Sequence, residues 1–243
     1  MEKNKQVQFL DVGLLDYQKV WDLQEELFAS IVQKKVANQK HGTKDLTANY
    51  LLFCQHPAVY TIGKSGKMDH LLWSEEDLAA HEVQFFKINR GGDITFHGPG
   101  QLVGYPILDL DHFFTDIHRY MRFLEEAVIL TCADFGVSAG RIDGLTGVWI
   151  DFEKQINPRK ICAMGVKASR WVTMHGFAFN VHTDLSYFQH IVPCGIEDKA
   201  VTSLSAEVGR NLTIPEVADR MKFHLATLFD MEILPFAYER HVL

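Results

Sequence analysis

The chain has 243 residues, 47% of them hydrophobic, which is enough to bury one sizeable core and too little for two independent ones. Its 31 acids outweigh its 24 Lys and Arg to leave a net charge of −7, so the surface as a whole repels nucleic acid and anionic membrane. No run approaches a membrane span, and Met1-Glu2-Lys3-Asn4-Lys5-Gln6 reads as neither secretory signal nor transit peptide, which points to a cytoplasmic protein.

Over about residues 16–39, Tyr17, Val20, Trp21, Leu27, Phe28, Ile31 and Val32 recur at three- and four-residue intervals and predict an amphipathic helix. Apolar, β-branched and aromatic runs predict strands at residues 50–54, 83–88, 102–108, 147–152, 161–166 and 172–181, all in one sheet. Ser74, followed by Glu75, Glu76 and Asp77, reads as the N-cap of a helix with acids in its first turn. Residues 117–134 form a longer one, with Phe123, Leu124, Ala127, Val128 and Thr131 on its buried stripe and Gly136 past its end. Thr213-Ile214-Pro215-Glu216 has the spacing of a capping box and opens the last helix. Strands and helices do not alternate regularly, so the class is α+β, a mixed β-sheet with packed helices. Without internal repeat or linker, residues 1–243 read as one domain.

Between two strand-like segments lies Arg90-Gly91-Gly92-Asp93-Ile94-Thr95-Phe96-His97-Gly98-Pro99-Gly100-Gln101. A glycine pair admits a ligand close to the main chain and bares N–H groups for a carbonyl or phosphate oxygen. The run is neither a dinucleotide fingerprint nor a Walker loop, and two plain turns explain its composition equally well.

Lys160 opens the run Lys160-Ile161-Cys162-Ala163-Met164-Gly165-Val166, where its stem should lie over apolar neighbours and its amine be perturbed. Of the four cysteines, Cys54, Cys132 and Cys162 lie in apolar elements and read as packing residues. Without a Cys-x-x-Cys pair they suggest no metal knuckle, and a reducing compartment leaves them as free thiols. Cys194 stands in a Pro193-Cys194-Gly195 turn that suits either a presented nucleophile or an incidental turn cysteine. A nearby ammonium such as Lys160 would favour its thiolate.

Taken together, the glycine loop with His97-Gly98-Pro99-Gly100-Gln101, Lys160 to Gly165, His175-Gly176-Phe177-Ala178-Phe179-Asn180 and Pro193-Cys194-Gly195 resemble the octanoyltransferases of lipoate synthesis over most of the chain. The resemblance implies the catalytic fold shared with lipoate-protein and biotin-protein ligases. It also implies transfer of octanoyl from acyl carrier protein to a lysine of the lipoyl domains of 2-oxoacid dehydrogenase E2 subunits or of the glycine-cleavage H protein, with no cofactor and no metal. It places the acyl-thioester cysteine at Cys194 and its pKa-lowering lysine at Lys160. Substrate contacts fall on Arg90, Gly91, Gly92, Asp93, Ile94, Thr95, Phe96 and His97, on Ala163, Met164 and Gly165, and on Gly176, Phe177 and Ala178. Departures are Asp93, where neutral or basic residues are frequent, Val192, where Asn is frequent, and a long hairpin over residues 151–159.

The resemblance leaves Lys160 as general base for the acceptor lysine, with His97 and His175 as chemical competitors better suited to shaping the site. Arg159, Lys167 and Arg170 are expected to form part of a patch for an acidic carrier. Rival readings are an ATP-dependent lipoate-protein ligase, a non-catalytic acyl-binding protein and a thiol hydrolase using Cys194.

Overall fold

The computed structural model describes residues 3–154, 156–192 and 200–236. The predicted helices form where their caps place them. Asp16 accepts the N–H groups of Gln18 and Lys19 to open α1 (Tyr17–His41), which ends at the left-handed Gly42. Ser74 and Asp77 cap each other reciprocally at the head of α2 (Glu75–Ala80), as Thr213 and Glu216 do for α5 (Ile214–Phe229). Between them run α3 (Ile117–Asp134) and the short α4 (Leu204–Val208).

Among the described residues, the main sheet has nine strands. Along its path lie β12 (Glu232–Pro235), β1 (Gln6–Leu14), β2 (Tyr50–Gln55), β6 (Gln101–Ile107), β10 (Val172–Asn180), β9 (Arg159–Ser169), β8 (Leu145–Ile150) and β7 (Gly140–Ile142), and β11 (Ala200–Val201) pairs with β9 off that path. β1 runs parallel to both its neighbours, whereas β2, β6, β10, β9 and β8 are successively antiparallel. Helices α3 and α5 cover one face, over a core that includes Phe53, Leu102, Ile161, Cys162, Phe177 and Phe179. Helix α1 covers the other, over Leu52, Val103, Tyr105 and Met174. Each fully buried Leu, Ile or Phe in these layers contributes about 1.5–3 kcal/mol.

The expectation of one sheet is corrected here. The run predicted at residues 83–88 forms β4 (Gln84–Lys87), which joins β3 (Val59–Ile62) and β5 (Ile94–His97) in a separate three-stranded sheet of order β4-β3-β5. β5 lies inside the segment that reads as a loop, because its turn follows at Gly98-Pro99-Gly100. Among the described residues, no helix is long and apolar enough to cross a membrane.

Candidate active site

The small sheet delivers the glycine loop to an open edge of the large one. Pairing of β8 with β9 is registered from Ile150 to Val148, opposite Arg159 to Cys162. Beyond it, the free edge of β9 receives the loop, where Gly91 donates its N–H to Val166 O at 2.9 Å. This N–H, expected to face a ligand, is therefore spent on docking. Gly165 makes the close approach possible, since a Cβ there would lie 2.6 Å from Gly91 O. On its other side the loop is tied to residues 63–65, with N–H bonds from Gly63 to Asp93 O, Lys64 to Arg90 O and Ser65 to Gly92 O.

Between loop and sheet lies a cavity of about 580 Å³. Its lining includes Arg90, Gly91, Gly92, Asp93, Ile94, Thr95 and His97, then Lys160, Ala163, Met164 and Gly165 from β9, and Gly176, Phe177 and Ala178 from β10. The cross-strand pairs Gly176↔Gly165 and Ala178↔Ala163 make a floor of small side chains. Ile117, His118 and Met121 of α3 and Gly144, Leu145 and Thr146 of the β7–β8 hairpin complete the wall. Phe96, grouped with the loop by sequence, stacks instead on Tyr187 at 4.6 Å in the small sheet's own core.

Lys160 reaches this cavity through a β-bulge. One step on β8, Val148 to Trp149, matches two on β9, Cys162 to Lys160, so Ile161 is the extra residue. Ile161 and Cys162 both drop into the core under α3 and α5. Lys160 consequently joins the opposite face with Ala163 and Gly165, its Nζ lying 4.6 Å from the centre of the Trp149 ring.

A directed hydrogen-bond chain links the loop to the lysine's strand. Arg90 Nη2 donates to Thr61 Oγ1 at 3.1 Å, whose hydroxyl donates to His97 Nε2 at 3.2 Å. His97 Nδ1–H donates to Gln101 Oε1 at 2.9 Å, and Gln101 Nε2 donates to Asn180 Oδ1 at 2.9 Å. Asn180 Nδ2 then donates to Thr202 O, whose own N–H donates to Lys160 O, both at 3.0 Å. An accepting Gln101 oxygen fixes the Nδ1–H tautomer of His97. Burial pushes His97 down to about 3, with His56 and Arg90 adding to the effect, and pushes His175 down to about 3, with Arg90 and Lys167 adding. Both imidazoles are held neutral by burial and are too weakly basic to take protons near pH 7. His175 also adopts φ +59°, held by its N–H bond to Gln24 Oε1 at 3.0 Å.

A family model described as the lipoyl protein ligase A/B catalytic domain matches residues 16–226. The octanoyltransferase of Cytophaga hutchinsonii is 59% identical, over 95% of this chain and 95% of its own. The chain belongs to the octanoyltransferase family. That of Christiangramia forsetii is 55% identical over 95% of this chain and 98% of its own. The likeness in fold extends further. A bi-partite lipoate protein ligase from Thermoplasma acidophilum superposes with a TM-score of 0.67 at 15% identity, covering 99% of this chain and 89% of that one.

Within this octanoyltransferase fold, Cys54, Cys132 and Cys162 are buried thiols. Burial pushes Cys132 up to about 12 and holds Cys54 and Cys162 well above the ordinary thiol range, so none is a usable thiolate. Cys194 lies outside the described residues. Of the described residues that flank it, Val192 donates its N–H to His70 O at 2.9 Å, and Ala200 and Val201, which line the cavity, pair with Arg159 and Lys160. His70 is itself bonded to Asp93, Nδ1 to Oδ2 at 2.6 Å, which gives the unusual loop acid a partner. Cations expected in a basic patch have partners of their own. Arg159 pairs with Glu207 and Asp151, and Lys167 with Glu25, so two of its three cations are engaged within the chain.

Proposed function

We propose that this octanoyltransferase-family chain moves an octanoyl group from acyl carrier protein onto a lysine of lipoyl domains or H protein, through a thioester on Cys194, as one catalytic domain in the cytoplasm. The reading is carried by 59% identity to an octanoyltransferase across 95% of both chains. The apolar cavity with an amine at its wall supports it. Burying about six methylenes of the acyl chain would contribute roughly 5 kcal/mol to binding.

In the first half-reaction the Cys194 thiolate attacks the donor carbonyl carbon, a new C–S bond forms, and the carrier's C–S bond breaks. Lys160, charged while it favours the thiolate, passes its proton to the departing carrier sulfur. It is then neutral. In the second half-reaction the acceptor lysine attacks the Cys194 thioester, Lys160 takes the amine's proton, and the amide forms as the thiolate leaves. Thioester exchange is nearly balanced, so amide formation gives the sequence its direction.

Because the donor is already activated, transfer needs no nucleotide. Labelled octanoyl from octanoyl carrier protein should reach a lipoyl domain at full rate without ATP or magnesium, whereas free octanoate should not be incorporated with or without them. Incorporation of free octanoate only with ATP would make the chain a ligase, and released octanoate without acceptor labelling would make it a hydrolase.

A further inference from the structure

We infer that Glu125 is a positioning residue for Lys160, acting through the backbone of Gly147; the inference rests on the role proposed above for Lys160. Glu125 lies one turn beyond Met121 on α3, below the cavity wall, and its carboxylate is fully buried. Three elements converge on it. Oε1 accepts the Gly147 N–H of β8 at 3.1 Å, and Oε2 accepts Arg141 Nε of β7 and Arg122 Nη1 of α3, each at 2.9 Å. Arg141 also donates to Arg122 O and Glu126, clamping the β7–β8 hairpin to the helix.

Gly147 is the contact between this clamp and the lysine. Its φ of +109° is a conformation for glycine, and a Cβ there would meet Cys162 O at 2.6 Å and Lys160 Cε at 3.6 Å. The Glu125 carboxylate therefore fixes the β8 backbone where the Lys160 stem passes, and Trp149, over which the amine lies, is two residues along the same strand. A buried carboxylate is costly to desolvate, and core packing alone would be served better by an apolar residue. What Glu125 supplies is a fixed place for the wall, and through it for the amine.

The test uses the full chain with octanoyl carrier protein and a lipoyl domain. Glu125→Gln should lower kcat about tenfold or more while leaving both KM values within about twofold, because the amine is displaced and the binding surfaces are not. Arg141→Gln is the milder cut, with a smaller loss of kcat and the same unchanged KM, and it serves if Glu125→Gln fails to fold. In a Lys160→Ala background, Glu125→Gln or Arg141→Gln should cause almost no further loss, since the group they position is gone. Folded variants with kcat at the wild-type level, or with losses that multiply in the double mutant, would overturn the inference. If Lys160→Ala alone keeps full activity, the role of Lys160 falls and takes this inference with it. An inactive Lys160→Ala beside an unaffected Glu125→Gln would sink the positioning claim only.

Discussion

Gly165 carries two demands at once, a strand register opposite Gly176 and room for the carbonyl of Gly91. Gly165→Ala should push the loop off β9, since the added carbon meets main chain that cannot rotate away, at a cost of about 1–3 kcal/mol. Denaturant midpoints would check the stability, and transfer kinetics should show a raised donor KM. At this scale much was legible. Lys160 was placed at the start of its strand from the basic-to-apolar change at Lys160-Ile161, and the cavity residues of the loop came from their resemblance to a family. The face that Lys160 occupies was not legible, because the bulge at Ile161 is a matter of pairing with β8 and leaves alternation in the sequence looking regular. Glu125 is not legible for a related reason: one of two adjacent acids, Glu125-Glu126, on a helix reads as solvent-facing until its three donors are in place.

Elements connect the motifs that a sequence shows only side by side. His97 and Gln101 are four residues apart across Gly98-Pro99-Gly100, and Asn180 closes the same chain from β10, so the glycine turn serves to bring a ring nitrogen to an amide. Gln101 is buried, and Gln101→Ala would leave His97 Nδ1–H and Asn180 Oδ1 facing a gap, costing about 1–3 kcal/mol. Chemical denaturation should record that loss, together with a fall in transfer rate as the connection to the Lys160 strand is cut. The long helices were legible because their caps and stripes are local. Strand β1 was not, since Val7 is its one buried residue, and β5 was hidden by the glycines around it. The hairpin of β7 and β8 had a signal in Asp143-Gly144 between two apolar stretches. Assignment of β4 to a second sheet depends on its long-range pairing with β3, which no local pattern encodes.

For the molecule as a whole, the buried neutral histidines His56, His97 and His175 contribute strongly to the response to acid, and burial lowers His112 in the same direction. Burial holds His56 at about 4 and His97 and His175 at about 3, against about 6.5 for an unfolded chain. Above pH 6.5 both states are neutral at these positions and they add no pH dependence. Below it the unfolded chain binds protons that the fold refuses, so stability present near neutrality is lost progressively as pH falls toward 3. The slope is up to about 1.4 kcal/mol per pH unit for each histidine, or about 4 for the three together. Urea midpoints measured from about pH 7.5 down to 4.5 should therefore be level at first and then fall steeply, and a level profile to pH 4.5 would contradict these protonation states. A titration seen in the transfer rate near pH 7 should survive His97→Gln and His175→Gln wherever those variants fold.

The central claim is covalent catalysis at Cys194, and intact-protein mass spectrometry tests it most directly. Mixed with octanoyl carrier protein in the absence of ATP, the chain should gain the mass of one octanoyl group on the peptide containing Cys194, and adding a lipoyl domain should remove it and label a lysine of the acceptor. Cys194→Ala should take up nothing. An adduct that forms equally well in that variant, or one that persists when the acceptor is added, would contradict the account.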